Sequence, residues 1–152
     1  MGGPRVGILI GSESDRPVMQ ECLQRLQELG IEAELRVSSA HRNPEATRAY
    51  ARAAQESGVR VLIAGAGMAA HLAGALASET ILPTIGVPLE SGPLRGMDAL
   101  LATVQMPAGL PVATVAIGGA ANAAILAAQI LALEDADLRA RLLAMRAQWK
   151  AT

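Results

Sequence analysis

The chain has 152 residues, 51% hydrophobic and 18% charged, with a formal net charge of -1 at pH 7; a domain of this size buries roughly 68–70% of the surface its unfolded chain exposes, so one self-sufficient core is feasible. One Tyr, one Trp, no Phe and a near-neutral balance leave neither the basic footprint nor the stacking rings of a nucleic-acid binder. The single cysteine, Cys22, excludes an internal disulfide, and the longest apolar stretch, Ala120 to Leu133, is interrupted by Asn122 and Gln129 and falls short of the about 20 residues that span a bilayer.

No basic segment followed by an apolar run opens the chain, so the expectation is a soluble cytoplasmic protein, read as one domain over 1-152. The apolar share exceeds the usual roughly 45–50%, which points to buried subunit contacts. Lys150 is the only lysine among 13 basic residues, so no Schiff-base or Walker-type phosphate lysine is available.

Arg5 to Ile10 reads as a first strand, and Ser14-Asp15-Arg16-Pro17 opens a helix with an apolar stripe of Val18, Cys22, Leu26 and Leu29, ended by Gly30. Glu32 to Ser38 is a second strand. A helix entered through Asn43-Pro44 follows, with Ala46, Ala49, Tyr50 and Ala53 on its inner face and Gly58 at its close. Val59 to Ala64 is a continuous apolar strand of the buried parallel kind, and Ala69 to Ser78 a third helix. Ile81 to Val87 is a fourth strand in which Pro83 implies either a late start or an edge. Leu89 to Gly96 reads as a loop, Met97 to Val104 as a short helix, and Pro111 to Ile117 as a fifth strand. Ala120 to Leu133 is apolar nearly all round, which predicts burial on several sides, including against a neighbouring subunit. The last helix, capped at Asp135, carries Leu138, Leu142, Met145 and Trp149 along one face. Alternating strands and helices predict an α/β, three-layer domain with a five-stranded parallel sheet and right-handed crossovers.

In such a sheet ligands bind at the carboxyl ends of the strands, and three polar or glycine-rich turns fall there. Gly11-Ser12-Glu13-Ser14-Asp15 offers hydroxyls, a carboxylate and free N–H groups at a helix start, suited to a hydroxyl-bearing or anionic ligand, or alternatively a plain cap by Ser14 or Asp15. Ser38-Ser39-Ala40-His41-Arg42 sets a group that moves protons near neutral pH beside one that grips phosphate through paired hydrogen bonds. Gly65-Ala66-Gly67-Met68-Ala69-Ala70 fits the dinucleotide fingerprint with Glu90 about 20 residues on, yet follows the third strand rather than the first. Its glycines equally suit close approach of backbone to a small ligand, with His71 either facing that ligand or satisfied by a neighbouring carbonyl. Cys22 reads as a small core residue, and two histidines without Cys or acidic partners at metal spacing give no metal site.

Taken together, Gly11-Ser12-Glu13-Ser14-Asp15, Ser39-Ala40-His41-Arg42, Gly65 through Leu72, Gly86-Val87-Pro88, Val104-Gln105-Met106-Pro107 and Ala121-Asn122-Ala123 resemble the bacterial N5-carboxyaminoimidazole ribonucleotide mutases. The resemblance covers nearly the whole chain, in order and at family spacing. It implies a flavodoxin-like (Rossmann-like) domain, a homo-octamer, and a step of de novo purine (IMP) synthesis that moves a carboxylate from an exocyclic nitrogen to ring carbon C4 without metal, ATP or biotin. On the same resemblance His41 is the general acid and base, and Ser12, Asp15 and Arg42 bind the ribonucleotide. Ser14, Ser39 and Arg42 lie near its phosphate and Asp15 near its ribose. Gly67, His71 and Leu72 line the base and carboxylate end.

Met68 stands where that family usually has glycine, Ala73 where it has proline, and Ile117-Gly118-Gly119-Ala120 is about two residues short of its usual turn. A histidine shuttle supplies about 10²–10⁴-fold in rate, so trapped carbon dioxide must supply much of the rest and a closed, water-poor pocket is expected. The related carboxylases that use carbon dioxide directly usually lack a histidine at the His71 position, which favours the mutase. A non-catalytic flavodoxin-like module, such as a phosphoacceptor domain, would need an Asp at the end of the third strand and a lysine near the fifth; Ala64-Gly65 and the absence of lysine before Lys150 oppose it.

Overall fold

The computed structural model describes residues 3–151. Five strands form one parallel sheet: β1 (Val6–Ile10), β2 (Ala33–Val37), β3 (Val61–Gly67), β4 (Thr84–Leu89) and β5 (Ala113–Thr114), in the order β2-β1-β3-β4-β5. This is the flavodoxin-like order, in which the chain runs from β1 outward to one side and then returns to the other. The gap between the carboxyl ends of β1 and β3 is therefore the topological switch point, where no crossover covers the sheet edge.

Helices α1 (Arg16–Glu28), α2 (Pro44–Ala54), α3 (Leu72–Ala77), α4 (Met97–Val104), α5 (Ala120–Leu131) and α6 (Ala136–Lys150) complete the layers. Successive strand residues point to opposite faces, so Val6, Ile8 and Ile10 of β1 join α1, α5 and α6 in one apolar cluster, while Leu9 joins α2 and α3 in the other. Both faces of the central strands are covered, which is why β1, β3 and β4 read as nearly continuous apolar runs, whereas β2 at the edge alternates apolar residues with Glu34 and Arg36.

One side of α5 is buried within the protomer, while Ile125, Leu126 and Ile130 are only partly covered and Leu133, at the end of the apolar run, is exposed. Ala120, Ala123, Ala124, Ala127 and Ala128 are buried, and their small side chains let α5 lie close against α1 and the sheet. Several other apolar side chains are exposed, among them Met97, Leu101 and Val104 on one face of α4 and Leu94 just before it.

Several element boundaries and faces differ from the sequence reading. Met19, not Val18, joins Cys22, Leu26 and Leu29 in the core, and Val18 is exposed. On α2 the inner face is Thr47, Ala51 and Ala54, with Tyr50 half-buried, whereas Ala46, Ala49 and Ala53 are exposed. Thr47 tolerates burial because its hydroxyl pairs with Ser38 Oγ at 2.7 Å and lies 3.3 Å from the Asn43 carbonyl. β4 starts after Pro83, the late start rather than the edge, since β5 lies outside it. Pro88 is accommodated near its end because β5 stops pairing at Thr114, leaving no ladder acceptor opposite the missing N–H. β5 is only two residues long instead of Pro111 to Ile117. Asp135 caps α6 as expected, its carboxylate accepting from Leu138 N at 2.9 Å, but Trp149 remains exposed.

Candidate active site

The three turns meet in one cavity of about 450 Å³ at the carboxyl edge of the sheet, lined by Ser12, Ser14, Asp15, Ser39, His41, Arg42, Gly67, Met68, His71, Leu72 and Ser91, with Gly11 and short alanine segments between them. Every residue assigned to a site from the sequence lies on its wall.

Gly11 N donates to Gly65 O at 3.1 Å, which ties the start of the first turn to β3 across the switch point. The next residues form a single tight helical turn, Glu13–Asp15, capped by Ser12. Ser12 N donates to Asp15 Oδ2 at 3.1 Å, while Ser14 N (3.4 Å) and the Ser14 hydroxyl (3.0 Å) converge on Ser12 Oγ. Ser12 thus caps this turn in a reciprocal box that fixes all three polar side chains, while Asp15 holds the N-cap position of α1 without a side-chain cap bond there. Burial pushes the Asp15 carboxyl above its usual value, opposed by the Ser12 N–H. Glu13 turns away into an ion pair with Arg16.

At the end of β2, Ser39 Oγ accepts from Arg42 N at 3.1 Å and Asn43 N donates to Ser39 O at 2.9 Å, so the turn is closed on itself before Asn43 caps α2. This presents His41 and Arg42 outward. Among the described residues the Arg42 guanidinium has no ion-pair or hydrogen-bond partner, leaving a free bidentate fork at the cavity edge.

β3 runs further than the sequence reading, through Gly65-Ala66-Gly67, because these small residues pair with β4 as strand. The dinucleotide fingerprint is thereby set aside on geometry: its glycines lie in the ladder rather than at a helix start, and the helix that follows begins only at Leu72. A Cβ on Gly67 would lie 2.7 Å from Ser91 Cβ, so the glycine there permits close approach of the loop after β4. Leu72 is buried and forms the floor under His71.

The His41 and His71 rings face each other, centroids 6.0 Å apart and planes 11° from parallel. Among the described residues no carbonyl pairs with the His71 ring, which stacks on His41 instead. The cavity is not closed as expected, since His41, Arg42 and His71 all remain exposed in the protomer.

Ser91 was missed by sequence reasoning. Its signal was position alone: two residues past β4, on the edge that holds the other three turns. Cys22 is buried in the core with its thiol pushed up to about 12 by burial, which fits a packing role. Among the described residues no group of three or more His, Cys, Asp or Glu side chains could hold a metal ion, and no helix is long and apolar enough to cross a membrane.

The family model for AIR carboxylase matches residues 5–152. The chain is 57% identical over 143 residues to the N5-carboxyaminoimidazole ribonucleotide mutase of Mycobacterium tuberculosis, covering 94% of this chain and 82% of the relative. It is 51% identical over 150 residues to the protein of the same name from Pyrococcus abyssi, covering 99% and 86%. Among solved structures it is similar to Treponema denticola PurE, with TM-score 0.87, 28% identity and coverage of 96% of this chain and 92% of that one.

Proposed function

This chain belongs to the AIR carboxylase family, and we propose that it is an isomerase converting N5-carboxyaminoimidazole ribonucleotide to 4-carboxy-5-aminoimidazole ribonucleotide in de novo purine synthesis. The observation that carries this reading is the convergence of three strand-end turns on one cavity, with a proton-transferring His41 beside the unpaired fork of Arg42 and ring to ring with His71.

On this reading Arg42, with Ser14 and Ser39, takes the phosphate. Arg42 supplies charge-assisted bonds each worth about 1.5–3 kcal/mol. Ser12 and Asp15, held in their reciprocal box, receive the ribose, while Gly67, His71 and Leu72 line the base and its carboxylate. Protonated His41 gives its proton to the exocyclic nitrogen as the nitrogen–carboxyl bond breaks and carbon dioxide forms. Ring carbon C4 then attacks that carbon dioxide, and neutral His41 removes the C4 proton, which restores the starting protonation state. No external reactant is consumed in this cycle.

The mutase reading is favoured over direct carboxylation because relatives at 51–57% identity over most of the chain carry the mutase name. Residues 1–152 are read as one such domain in the cytoplasm, working as a homo-octamer. Exposed Met97, Leu101 and Val104 on one face of α4, with Leu94 just before it, support assembly of copies through apolar contact. Light scattering at micromolar concentration is expected to give the octamer mass; a monomer would overturn that assignment.

The test of function supplies purified protein with N5-carboxyaminoimidazole ribonucleotide in buffer containing ¹³C-bicarbonate. Carboxylated product whose new carboxyl group is mainly unlabelled is expected. Product formed only from aminoimidazole ribonucleotide and labelled carbon dioxide would give the carboxylase instead, and no product from either would overturn both.

A further inference from the structure

Met68 is held in the left-handed region, at φ 54, where a side chain is disfavoured, and it is 54% exposed although apolar. Neither feature helps the chain fold: glycine would remove the strain, and a polar residue would suit the exposure. Its placement gives another reason. Leu72 and Met68 are the large apolar residues of the cavity wall, and Leu72 is buried in the floor, so among the described residues Met68 is the one that supplies exposed apolar bulk there.

The thioether also reaches across the rim. A Cβ on Gly92 would lie 3.8 Å from the Met68 Cγ and Cε and 4.0 Å from its sulfur, ordinary contact distances. One residue earlier on each segment, Gly67 lies close against Ser91. The turn after β3 and the loop after β4 therefore approach each other at two successive positions, the inner where Gly67 lies close against Ser91 and the outer where the Met68 side chain lies beside Gly92. On the side of the cavity formed by β3 and β4, beside the small Ala66, Ala69 and Ala70, Met68 is the one large exposed apolar side chain among the described lining residues.

We propose that Met68 is a positioning residue that seals the β3–β4 side of the cavity, holding the loop after β4 in place and keeping released carbon dioxide beside the base instead of letting it exchange with solvent. This rests on the decarboxylation–recarboxylation reading above. The intermediate is small, uncharged and held by no salt bridge, so an apolar wall is the kind of barrier that retains it. Escape leaves the aminoimidazole ribonucleotide with its proton on nitrogen and its C4–H intact, ready to capture a different carbon dioxide from solution.

The experiment follows carboxylated product formed from unlabelled N5-carboxyaminoimidazole ribonucleotide in saturating ¹³C-bicarbonate, for wild type, Met68→Gly and Met68→Leu. Met68→Gly relieves the positive φ and is expected to fold, checked by thermal unfolding, while its ratio of labelled to unlabelled product rises roughly tenfold, the low end for deleting apolar bulk from a site. Met68→Leu restores the bulk and is expected to return that ratio to the wild-type value. An unchanged ratio in Met68→Gly overturns the proposal, as does an equal rise in both variants. An inert wild type overturns the functional reading itself and this inference with it, a result distinguishable from an active wild type with an unresponsive ratio.

Discussion

Between the sheet and helices α1 and α5, Ile8, Ile10, Met19 and Ile63 are fully buried and backbone groups are paired in the ladder, whereas at the carboxyl ends of the same strands His41, Arg42 and His71 stand exposed. The contrast extends to the backbone. Met68, Ala70 and Arg95, the non-glycine residues with positive φ among those described, all lie in the loops after β3 and β4. Strain, unpaired charge and a desolvated carboxyl are gathered at one edge, and the saturated layer beneath it is what can offset them. Stability and chemistry should therefore separate by position along each strand, and substitutions can be chosen to break that separation.

The largest expected effect on folding is in the core. Leu62→Ala, at a fully buried position on the α2–α3 side, should cost about 2–5 kcal/mol in denaturant unfolding while leaving turnover per folded molecule unchanged. Arg42→Ala is the converse: each lost charge-assisted bond is worth about 1.5–3 kcal/mol of substrate binding, so KM should rise tenfold or more with the unfolding midpoint unmoved. A fall in stability without a change in KM would place Arg42 on the structural side.

Gly65→Ala probes the boundary between the two regions. The added Cβ would stand 2.6 Å from Met19 Sδ and 2.8 Å from its Cγ, so overpacking of about 1–3 kcal/mol is expected in chemical unfolding. Because Gly65 also accepts from Gly11 N, some loss of activity should accompany it; loss of activity without loss of stability would contradict the packing account.

The smallest effect is at Asp15, whose carboxyl burial holds above its usual value. A raised acid contributes stability below its unfolded pKa and loses it as pH rises through the folded one, so ionised Asp15 is a cost at neutral pH. Asp15→Asn keeps an acceptor for Ser12 N. It should leave Tm equal to or slightly above wild type at pH 7, with the difference vanishing in acid, while ribonucleotide binding weakens. A lower Tm at pH 7 would show that the carboxylate serves the fold.

The same division explains what could be read in advance. The central strands β1 and β3 were legible as apolar runs and the helix starts as caps, such as Asn43-Pro44 and Asp135, because these are local chemistry. The inner face of α2 was not: in a helix of alanines, Ala46 and Thr47 differ less in hydropathy than in whether Ser38 is there to satisfy a hydroxyl. Likewise Gly65-Ala66-Gly67 reads as a turn until β4 is placed beside it. The convergence of the predicted residues on one cavity was legible because a parallel sheet collects its strand ends on one edge. The ring-to-ring approach of His41 and His71, the entry of Ser91 and the open mouth were not, since each depends on how separate loops settle across the switch point.

The central claim is that His41 carries the proton in both halves of the reaction. Its most direct test compares wild type with His41→Asn on N5-carboxyaminoimidazole ribonucleotide, following the C4-carboxylated product by single-turnover kinetics and the fold by thermal unfolding. A rate lower by about 10²–10⁴-fold is expected, with an unfolding midpoint close to wild type. A His41→Asn enzyme that turns over at the wild-type rate would contradict it.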